Sequence, residues 1–277
     1  MTIDSKAVAR HYGRSDLTKV LLSALEDAGI DTDNLTPLDL APLDQFHSRG
    51  IEATRELAEI LAAEADDHVL DIGCGIGGAM RLISAESGCK MTGVDLTPEF
   101  CHAGEEFNKR TGLSDRVQCH VGNALKLEFD DESFDKAYSQ FAVMNIEDRA
   151  GFCAEVFRTL KPGGRFVLTE IAEGPKGKPR YPMPWSMTEA TSFVQTPEKT
   201  RTVLEKTGFD VVSMRDTKSE AIRFKQKMDQ KAAAGAPPKL GVHLILPNAT
   251  QEILGNVLRH IEMGLALPLE TVCVKPA

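Results

Sequence analysis

The segment 69–78, with the sequence VLDIGCGIGG, constrains the fold of this chain more than any other part of it. A short apolar run ends near Asp71, and three glycines then follow at alternate positions. These glycines are Gly73, Gly75 and Gly77. Glycine permits a sharp backbone turn and the close approach of a ligand. Because residues 79–87 have a helical pattern, we expect this turn to join a buried strand to the positive end of a helix.

The same order of strand and helix is repeated along the chain, at intervals of about 25 residues. Short apolar runs predict strands at 68–72, 91–95, 117–122, 134–140, 165–170, 209–214 and 270–274. Periodic patterns predict helices at 79–87, 98–110, 148–160 and 197–207, and the sequence KPGG at 161–164 is a stop signal. Alternating strands and helices are typical of α/β proteins, so we predict a doubly wound, mainly parallel sheet.

Residues outside this pattern form two further groups. Helical patterns at 16–28 and 48–63 precede the first strand, and the polar stretch 31–47 between them is assigned no helix. Two more helical patterns, at 217–233 and 249–263, flank the breaker AGAPPKLG and form a helical insertion before the last strand. We therefore predict a helical N-terminal cap, a ligand-binding core, and a substrate-side part with the remaining strands and the insertion. The predicted boundaries are 1–62, 63–172 and 173–277.

Composition disfavours several classes of protein. The net charge is −9, which argues against a nucleic-acid partner because such binding relies on Lys and Arg pairing with phosphates. The charged N-terminus lacks the apolar segment of a secretory signal, and no run of 18 apolar residues predicts a membrane helix. The six cysteines form no CxxC pair and no zinc-site spacing. We therefore expect reduced thiols, no metal and a cytoplasmic protein.

Two kinds of ligand are consistent with the glycine turn. Gly73, Gly75 and Gly78 satisfy the GxGxxG pattern of dinucleotide-binding proteins, so an NAD(P)-dependent oxidoreductase is one interpretation. A carboxylate that faces the turn would repel a pyrophosphate, however, and Asp71 lies two residues before the first glycine. We therefore favour a cationic ligand such as S-adenosylmethionine (SAM), held by Asp71 directly or through the loop backbone.

Asp95 ends the second predicted strand, 22 residues after Gly73. This is the spacing of an acid that holds ribose hydroxyls at the tip of the next strand. The alternative role for Asp95 is to cap the helix that starts at Pro98. With the ribose held in this way, the neighbouring Leu96 would lie against the adenine.

Polar residues also follow the third and fourth predicted strands. Asn123 and Ala124 come after the third strand, where a polar side chain can bond the edge of an adenine. Gln140 ends the fourth strand. Because open α/β sheets bind ligands at the carboxyl ends of their strands, we expect these residues to lie at one site with the glycine turn.

Taken in order, these motifs resemble those of the class I SAM-dependent methyltransferases. The resemblance covers residues 66–172 and rests on DIGCGIGG, GVDLTPE, GNALKLEFDDESFD and EVFRTLKPGGRFVLTE. It implies a Rossmann-like, seven-stranded sheet with an antiparallel last strand, and SAM as the cofactor with S-adenosylhomocysteine as its product. The resemblance implies that the methionine moiety is lined by Gly73, Gly75 and Gly77. It also implies that Asp95 holds the ribose and that Asn123 and Ala124 meet the adenine.

The chain departs from the family pattern at two positions. The family usually has Asp where this chain has Asn123, although an Asn carbonyl can still accept from the adenine amino group. Relatives often have His where this chain has Asn145, which weakens the case for a catalytic base on this strand.

Three segments outside the core are similar to the sarcosine/dimethylglycine N-methyltransferase-like subgroup. They are 44–58, 181–209 and the insertion before the last strand. This resemblance implies a small-molecule methyl acceptor, with an amine or amino-acid nitrogen as its nucleophile, and it allows a homodimer. Transfer to oxygen, sulfur or carbon is the alternative, as is a SAM-binding protein without catalytic activity.

Three residues are the candidates for contact with the reacting groups. Gln140 is predicted to point into the site from a strand tip, His47 can accept a proton near neutral pH, and Trp185 can offer an aromatic face. Core packing for Trp185 and a structural role for His47 are the alternatives. Tyr12 either folds over the cofactor or lies in an exposed terminus. Three arginines can clamp a carboxylate or be surface charges. They are Arg49, Arg180 and Arg201.

Overall fold

The fold is an α/β sandwich built on one seven-stranded sheet, seen in a computed structural model that describes residues 12–233, 239–246 and 251–277. The strands are β1 His68–Ile72, β2 Lys90–Asp95, β3 Val117–Val121, β4 Phe134–Gln140, β5 Leu160–Glu173, β6 Asp210–Asp216 and β7 Ala266–Val274. Their order in the sheet is β3-β2-β1-β4-β5-β7-β6. The first five strands pair in parallel, and β7 is antiparallel to both β5 and β6. The predicted doubly wound sheet with an antiparallel last strand is confirmed.

Nine α-helices accompany the sheet within the described residues. They are α1 Leu17–Asp27, α2 Pro37–Asp44, α3 Gly50–Leu61, α4 Gly78–Ser87, α5 Pro98–Arg110, α6 Arg149–Thr159, α7 Pro197–Thr207, α8 Lys218–Ala233 and α9 Gln251–Met263. Among them, none combines the length and the hydropathy that crossing a membrane requires. The predicted breaker at 234–241 lies largely outside the described residues, as do the first two residues of the predicted helix 249–263.

Separate apolar clusters cover the two faces of the sheet. On one face, α6 and α7 contribute Phe152, Val156 and Leu204 to a cluster with the inner strands. On the other face, α3 and α4 pack with β1 and β2. Burying an aliphatic or aromatic side chain of this size contributes roughly 1.5–3 kcal/mol, so the strands with continuous apolar runs are stabilised on both sides.

A third cluster joins the N-terminal helices to the insertion. Leu21 and Leu25 of α1 and Leu40 of α2 are fully buried against Phe107 of α5, and Ile245 of the insertion belongs to the same cluster. The two parts of the chain that flank the core in sequence therefore meet above α5, on the side where β1 and β2 end.

Helix α2 was missed in the sequence because it lies in a polar stretch with two prolines. Thr36 and Asp39 form a capping box in which the Thr36 side chain accepts from the Asp39 amide and the Asp39 carboxylate accepts from the Thr36 amide. Pro37 occupies the first turn, where its fixed φ suits a helix and no amide donor is needed. The signal T-x-x-D followed by leucines was therefore present, and the prediction of no helix at 31–47 was wrong.

Strand β5 begins five residues earlier than predicted. Helix α6 ends at Thr159, just before the predicted stop signal KPGG, but residues 161–164 also belong to the strand because Lys275 pairs with them. The Gly163 amide donates to the Lys275 carbonyl at 2.8 Å, and the Lys275 amide donates to the Gly164 carbonyl at 2.9 Å. The partner is 111 residues away in sequence, so a local pattern cannot indicate it.

A buried guanidinium joins the cap to the core beside the glycine turn. Arg81 of α4 donates to Asp44 Oδ2 at 2.9 Å, to the Ile76 carbonyl at 2.6 Å and to Asn108 Oδ1 at 2.9 Å. Its side chain is fully buried, and that of Asp44 is 1% exposed. Arg81 therefore ties the last residue of α2, the turn before α4 and the helix α5 into one unit.

Candidate functional site

A cavity of about 1450 Å³ lies at the carboxyl ends of β1, β2 and β4, between the sheet, the N-terminal cap and the insertion. Ten of the eleven predicted cofactor and catalytic residues line it. They are His47, Asp71, Gly73, Gly75, Asp95, Leu96, Asn123, Ala124, Gln140 and Trp185. Gly77 is not part of the lining. It precedes the first residue of α4 with a φ of 78°, and a Cβ there would meet the side chains of Arg81, Met80 and Cys119.

The glycine turn is held by the neighbouring strand. The amides of Gly73 and Cys74 both donate to the Val94 carbonyl of β2, at 2.8 and 3.2 Å. Gly73 has a φ of 86°, and a Cβ at this position would overlap the Cβ of Ala142. Gly78 allows a second close approach, because a Cβ there would overlap the Asp44 carboxylate. Glycine is therefore required at both positions by the conformation or by the space available.

Asp95 fixes the turn from the tip of β2. Its Oδ2 accepts from the Gly75 amide at 2.9 Å, and its Oδ1 accepts from the Thr97 amide at 2.9 Å. The N-cap residue of α5 is Thr97, not Asp95, and its side chain makes no capping bond. Burial raises the pKa of Asp95, and the two amides oppose that rise. Each carboxylate oxygen keeps a lone pair after these contacts, so Asp95 can also accept from hydroxyls of a ligand.

Asp71 carries less negative charge than a carboxylate that repels a pyrophosphate would need. Its side chain is 2% exposed, and its Oδ1 has no hydrogen-bond partner among the described residues. Burial raises the pKa of Asp71 to about 8, with the Asp95 carboxylate adding to the rise and Tyr138 opposing it. The acid is therefore largely protonated at neutral pH while no cation is near. A cationic ligand in the cavity would favour its ionised form.

The raised pKa of Asp71 predicts a pH dependence of stability. An unfolded Asp titrates near pH 3.9, so between about pH 4 and 8 the folded protein holds a proton that the unfolded chain releases. This stabilisation is complete below pH 4 and is lost as the pH rises through 8, with a slope of up to about 1.4 kcal/mol per pH unit. Asp71→Asn cannot titrate, so its free energy of unfolding in urea should fall less between pH 5 and 8. Parallel profiles for the two proteins would contradict the assignment.

Asn123 lies near the rim of the cavity, beside the tip of β2. Its Oδ1 accepts from the Leu125 amide at 2.9 Å, which fixes the orientation of the side chain. The Gly122 amide donates to the Asp95 carbonyl at 2.9 Å, so the segment after β3 is attached to the residue predicted to hold the ribose. Asn123 is exposed, and Ala124 is half-buried next to it.

Gln140 presents an unsatisfied amide in the cavity wall. Its Nε2 is buried and has no hydrogen-bond partner among the described residues. Buried polar groups of proteins are nearly always paired, so this unpaired amide can donate to an oxygen of a ligand once the side chain turns toward the cavity. The next residue, Phe141, has a φ of 55°, which turns the chain at the end of β4.

His47 is held by protein groups on both ring nitrogens. Nδ1 lies 3.3 Å from the Ser48 carbonyl, and Nε2 lies 3.1 Å from Thr54 Oγ1. The ring stacks on Phe141 at a centroid distance of 5.8 Å. Burial lowers the pKa of His47 to about 4. A base this weak, with its nitrogens already engaged, favours the structural alternative for His47 over proton abstraction.

Trp185 packs in the core and also lines the cavity. The side chain is 5% exposed and packs in a cluster with Met144, Ile171 and Ile261, while one part of it lines the cavity. Its Nε1 donates to Ser192 Oγ at 2.8 Å, which fixes the plane of the indole. The core-packing contacts therefore hold an aromatic surface in place at the cavity wall.

Asn145 was noted in the sequence only as a departure, yet it connects three segments around the cavity. Its Nδ2 donates to the carbonyls of Trp185 and Thr191, at 2.8 and 2.9 Å. Its Oδ1 accepts from the Tyr12 hydroxyl at 3.1 Å, and the Tyr12 ring packs on Phe100 at 5.9 Å. Tyr12 therefore lies in the cavity wall and not in an exposed terminus, while its contact with the cofactor stays a prediction. The signal was a polar amide in the segment that follows β4.

The three candidate arginines do not form a carboxylate clamp in the cavity. Arg49 lines it, but its guanidinium donates to both carboxylate oxygens of Glu56 at 2.8 and 2.9 Å. Arg201 pairs with Glu205 on the outer surface of α7, and Arg180 is exposed outside the cavity lining. The surface-charge alternative therefore holds for Arg180 and Arg201.

Acidic side chains outnumber basic ones in the lining formed by described residues. The six carboxyl groups are Asp44, Asp71, Asp95, Glu147, Asp148 and Asp229. The lysine and arginine side chains are Arg49 and Lys225. Asp71 is largely protonated, and Asp44 and Asp229 are paired with Arg81 and Lys225. The carboxylates of Asp95, Glu147 and Asp148 remain, and their field favours a cation over an anion.

The sequence of the core matches a known family. Residues 70–168 match the model of a methyltransferase domain, which confirms the prediction of such a domain over these residues. A 24-methylenesterol C-methyltransferase 2 of Oryza sativa subsp. japonica is 39% identical over 123 residues, or 43% of this chain and 34% of that protein. A phosphoethanolamine N-methyltransferase 3 of Arabidopsis thaliana is 31% identical over 127 residues, or 46% of this chain and 26% of that protein. The chain thus matches about a third or less of the length of these curated relatives.

Solved structures share the fold over a longer span. A geranyl diphosphate C-methyltransferase from Streptomyces coelicolor A3(2) has a TM-score of 0.69 at 19% identity and covers 99% of this chain and 98% of its own. A putative sarcosine dimethylglycine methyltransferase from Galdieria sulphuraria has a TM-score of 0.58 at 17% identity, over 82% and 83% of the two chains. At these identities the likeness is one of fold. The predicted subgroup is not distinguished from the others by these matches.

Proposed function

We propose that this protein transfers a methyl group from SAM to a small-molecule acceptor. The proposal rests on the position of Asp95. This carboxylate accepts hydrogen bonds from two backbone amides at the tip of β2 and faces a cavity rich in carboxyl groups. The match of residues 70–168 to a methyltransferase domain supports it. SAM has a sulfonium and an ammonium group, so an acid-rich cavity suits it better than the pyrophosphate of a dinucleotide.

In this proposal each strand tip contacts a different part of the cofactor. Asp95 accepts from the ribose hydroxyls with its remaining lone pairs, and Asn123 with Ala124 meets the adenine edge, with Leu96 against the ring face. The turn at Gly73 and Gly75 contacts the methionine part. Gln140 donates its free amide to a ligand oxygen, and Asp71 ionises when the cation approaches.

The protein's contribution to the reaction is position and the exclusion of water. When bound, SAM supplies a methyl group on a positively charged sulfur that leaves as a neutral thioether. Holding an acceptor in line with that bond can account for roughly 7–11 kcal/mol of the barrier. Tyr12, Asn145 and Trp185 belong to the wall of the cavity and are linked by hydrogen bonds, which limits the access of water to the reacting atoms.

We propose an amine nitrogen as the acceptor atom. The product of tertiary amine methylation carries a permanent positive charge. Cation–π contact with the aromatic rings of Trp185 and Phe141 in the cavity wall would stabilise such a product by about 0.5–2 kcal/mol. No base is required when the amine arrives unprotonated, which agrees with the weak basicity of His47. Gln140 and Trp185 are then the residues beside the acceptor, and transfer to oxygen, sulfur or carbon is the competing assignment.

Titration calorimetry with SAM, S-adenosylhomocysteine and NADH tests the cofactor. We expect binding of the first two and none of NADH. Asp95→Ala removes charge-assisted hydrogen bonds worth about 1.5–3 kcal/mol each, so the Kd for SAM should rise by about 10- to 100-fold. Glu99→Ala in the first turn of α5, outside the cavity lining, is the matched control and should leave the Kd unchanged.

Turnover separates an enzyme from a binding protein. Transfer of a labelled methyl group, with formation of S-adenosylhomocysteine, is expected with at least one amine acceptor. Binding of NADH in place of SAM would overturn the proposal in favour of an oxidoreductase. Label found only on oxygen, sulfur or carbon acceptors would retain the methyltransferase and reject the amine.

A further inference from the structure

The cavity is larger than one ligand requires. Sites for single small ligands have volumes of roughly 300–1,000 Å³, whereas this cavity has about 1450 Å³. The residues assigned to the cofactor occupy the side formed by β1, β2 and the segment after β3. The remainder lies between the segment after β4, the loop that contains Trp185, and the insertion with α8 and α9. We call this second region the acceptor arm.

Apolar side chains form most of the acceptor arm. They come from three separate parts of the chain, which are the loop after β5 and the helices α8 and α9. The main contributors are Trp185, Phe193, Phe224, Leu254, Val257 and Ile261. A surface of this kind favours a ligand with an apolar body, because removing apolar area from water contributes roughly 25 cal/mol per Å².

The lysine and arginine side chains described in the lining are already paired with carboxylates. Arg49 is paired with Glu56 through both oxygens, and Lys225 is paired with Asp229 one turn further along α8. His47 is buried, with its ring nitrogens beside Ser48 and Thr54, and His243 is exposed. A phosphate or carboxylate placed here would lose its hydration and meet carboxylates rather than a bidentate partner.

A bound metal ion is the other common way to hold a phosphate group. Within the described parts of the chain, no three His, Cys, Asp or Glu side chains are grouped so that they could hold such an ion. The carboxylates of Glu147, Asp148 and Asp229 in the lining therefore do not form a preformed three-ligand site for such an ion.

We propose that the acceptor is a largely apolar molecule without a phosphate or carboxylate group, whose body occupies the acceptor arm between Trp185 and α9. This inference rests on the proposed function and adds the substrate class to it. It separates this protein from enzymes that recognise their acceptor through an anionic group, and it excludes sarcosine and dimethylglycine as preferred acceptors.

Three acceptors with the same nucleophile test the proposal on the full-length protein. N-methyldodecylamine, sarcosine and phosphomonomethylethanolamine all present a CH₃–NH–CH₂ group and differ in the body attached to it. We expect kcat/KM for labelled methyl transfer to be at least 10-fold higher with the apolar amine than with either anionic one. Geraniol and geranyl diphosphate, the latter with Mg²⁺, form the corresponding pair for a nucleophile other than nitrogen.

Binding is measured as well, so that the result does not depend on turnover. With S-adenosylhomocysteine present, calorimetry should detect the apolar member of each pair and not the anionic member. Preference for sarcosine, phosphomonomethylethanolamine or geranyl diphosphate in either assay would overturn the inference while leaving the methyltransferase intact. Failure of SAM itself to bind is the separate result that would reject the proposed function.

A substitution on α9 locates the bound acceptor. Gly255 lines the cavity, and a Cβ there would meet no atom within 4 Å, so Gly255→Phe places a ring in the acceptor arm without overlap at its first atom. We expect it to weaken binding of N-methyldodecylamine at least 10-fold and to leave the Kd for SAM within a factor of two. Arg259→Phe, on the same helix but exposed and outside the lining, should change neither value. Equal effects of the two variants, or none from Gly255→Phe, would contradict the assigned location.

Discussion

Replacing Arg81 with methionine is expected to lower the free energy of unfolding by about 3–5 kcal/mol, because it leaves the Asp44 carboxylate buried without a partner. The two side chains are 0% and 1% exposed and lie 2.9 Å apart. The same guanidinium also donates to the Ile76 carbonyl and to Asn108 Oδ1, so these acceptors lose a donor too. Urea unfolding monitored by circular dichroism measures the change.

The double variant Arg81→Met/Asp44→Leu is the control for this prediction. It removes both charges from the interior, and replacing a buried pair by apolar side chains is often neutral or stabilising. We therefore expect it to be more stable than Arg81→Met alone. If both proteins lose the same free energy, the loss comes from the carbonyl of Ile76 and from Asn108, and the link between α2 and the turn is not important for stability.

The core could be predicted from the sequence because its signals are local. The strands predicted at 68–72 and 134–140 coincide with β1 and β4 to the residue. Both strands are covered on both faces. The cap and the length of β5 depended on contacts made elsewhere. Helix α2 is polar outside and buries only a few leucines against α5 and the insertion, and β5 is extended through its pairing with Lys275.

The residues of the site were easier to predict than their chemical state. Strand tips collect polar side chains at one edge, so Asp95 and Gln140 were found from their positions alone. The protonation of Asp71 and His47 depends on burial that no short pattern indicates. Arg49 likewise looked like a free cation until its pairing with Glu56 was visible. The pairing of Arg49 is the correction that concerns the acceptor, because it engages a guanidinium that could otherwise bind a carboxylate.

Gly73→Ala is expected to destabilise the protein by about 2–5 kcal/mol and to weaken SAM binding, for two separable reasons. Gly73 has a φ of 86°, which costs an alanine roughly 1–2 kcal/mol. Its new Cβ would also overlap the Cβ of Ala142, at the junction between the ends of β1 and β4. The turn would then have to shift at the position where the amides of Gly73 and Cys74 meet Val94.

Two further variants separate these reasons. Gly112→Ala has the same kind of backbone strain, with a φ of 67°, but its Cβ would meet no atom within 4 Å. It should lose only the roughly 1–2 kcal/mol due to strain and keep the wild-type Kd for SAM. Gly73→Ala/Ala142→Gly removes the overlap and leaves the strain, so its unfolding free energy should approach that of Gly112→Ala. If the double variant is no more stable than Gly73→Ala, the overlap with Ala142 is not the cause, and backbone strain at the turn accounts for the whole loss.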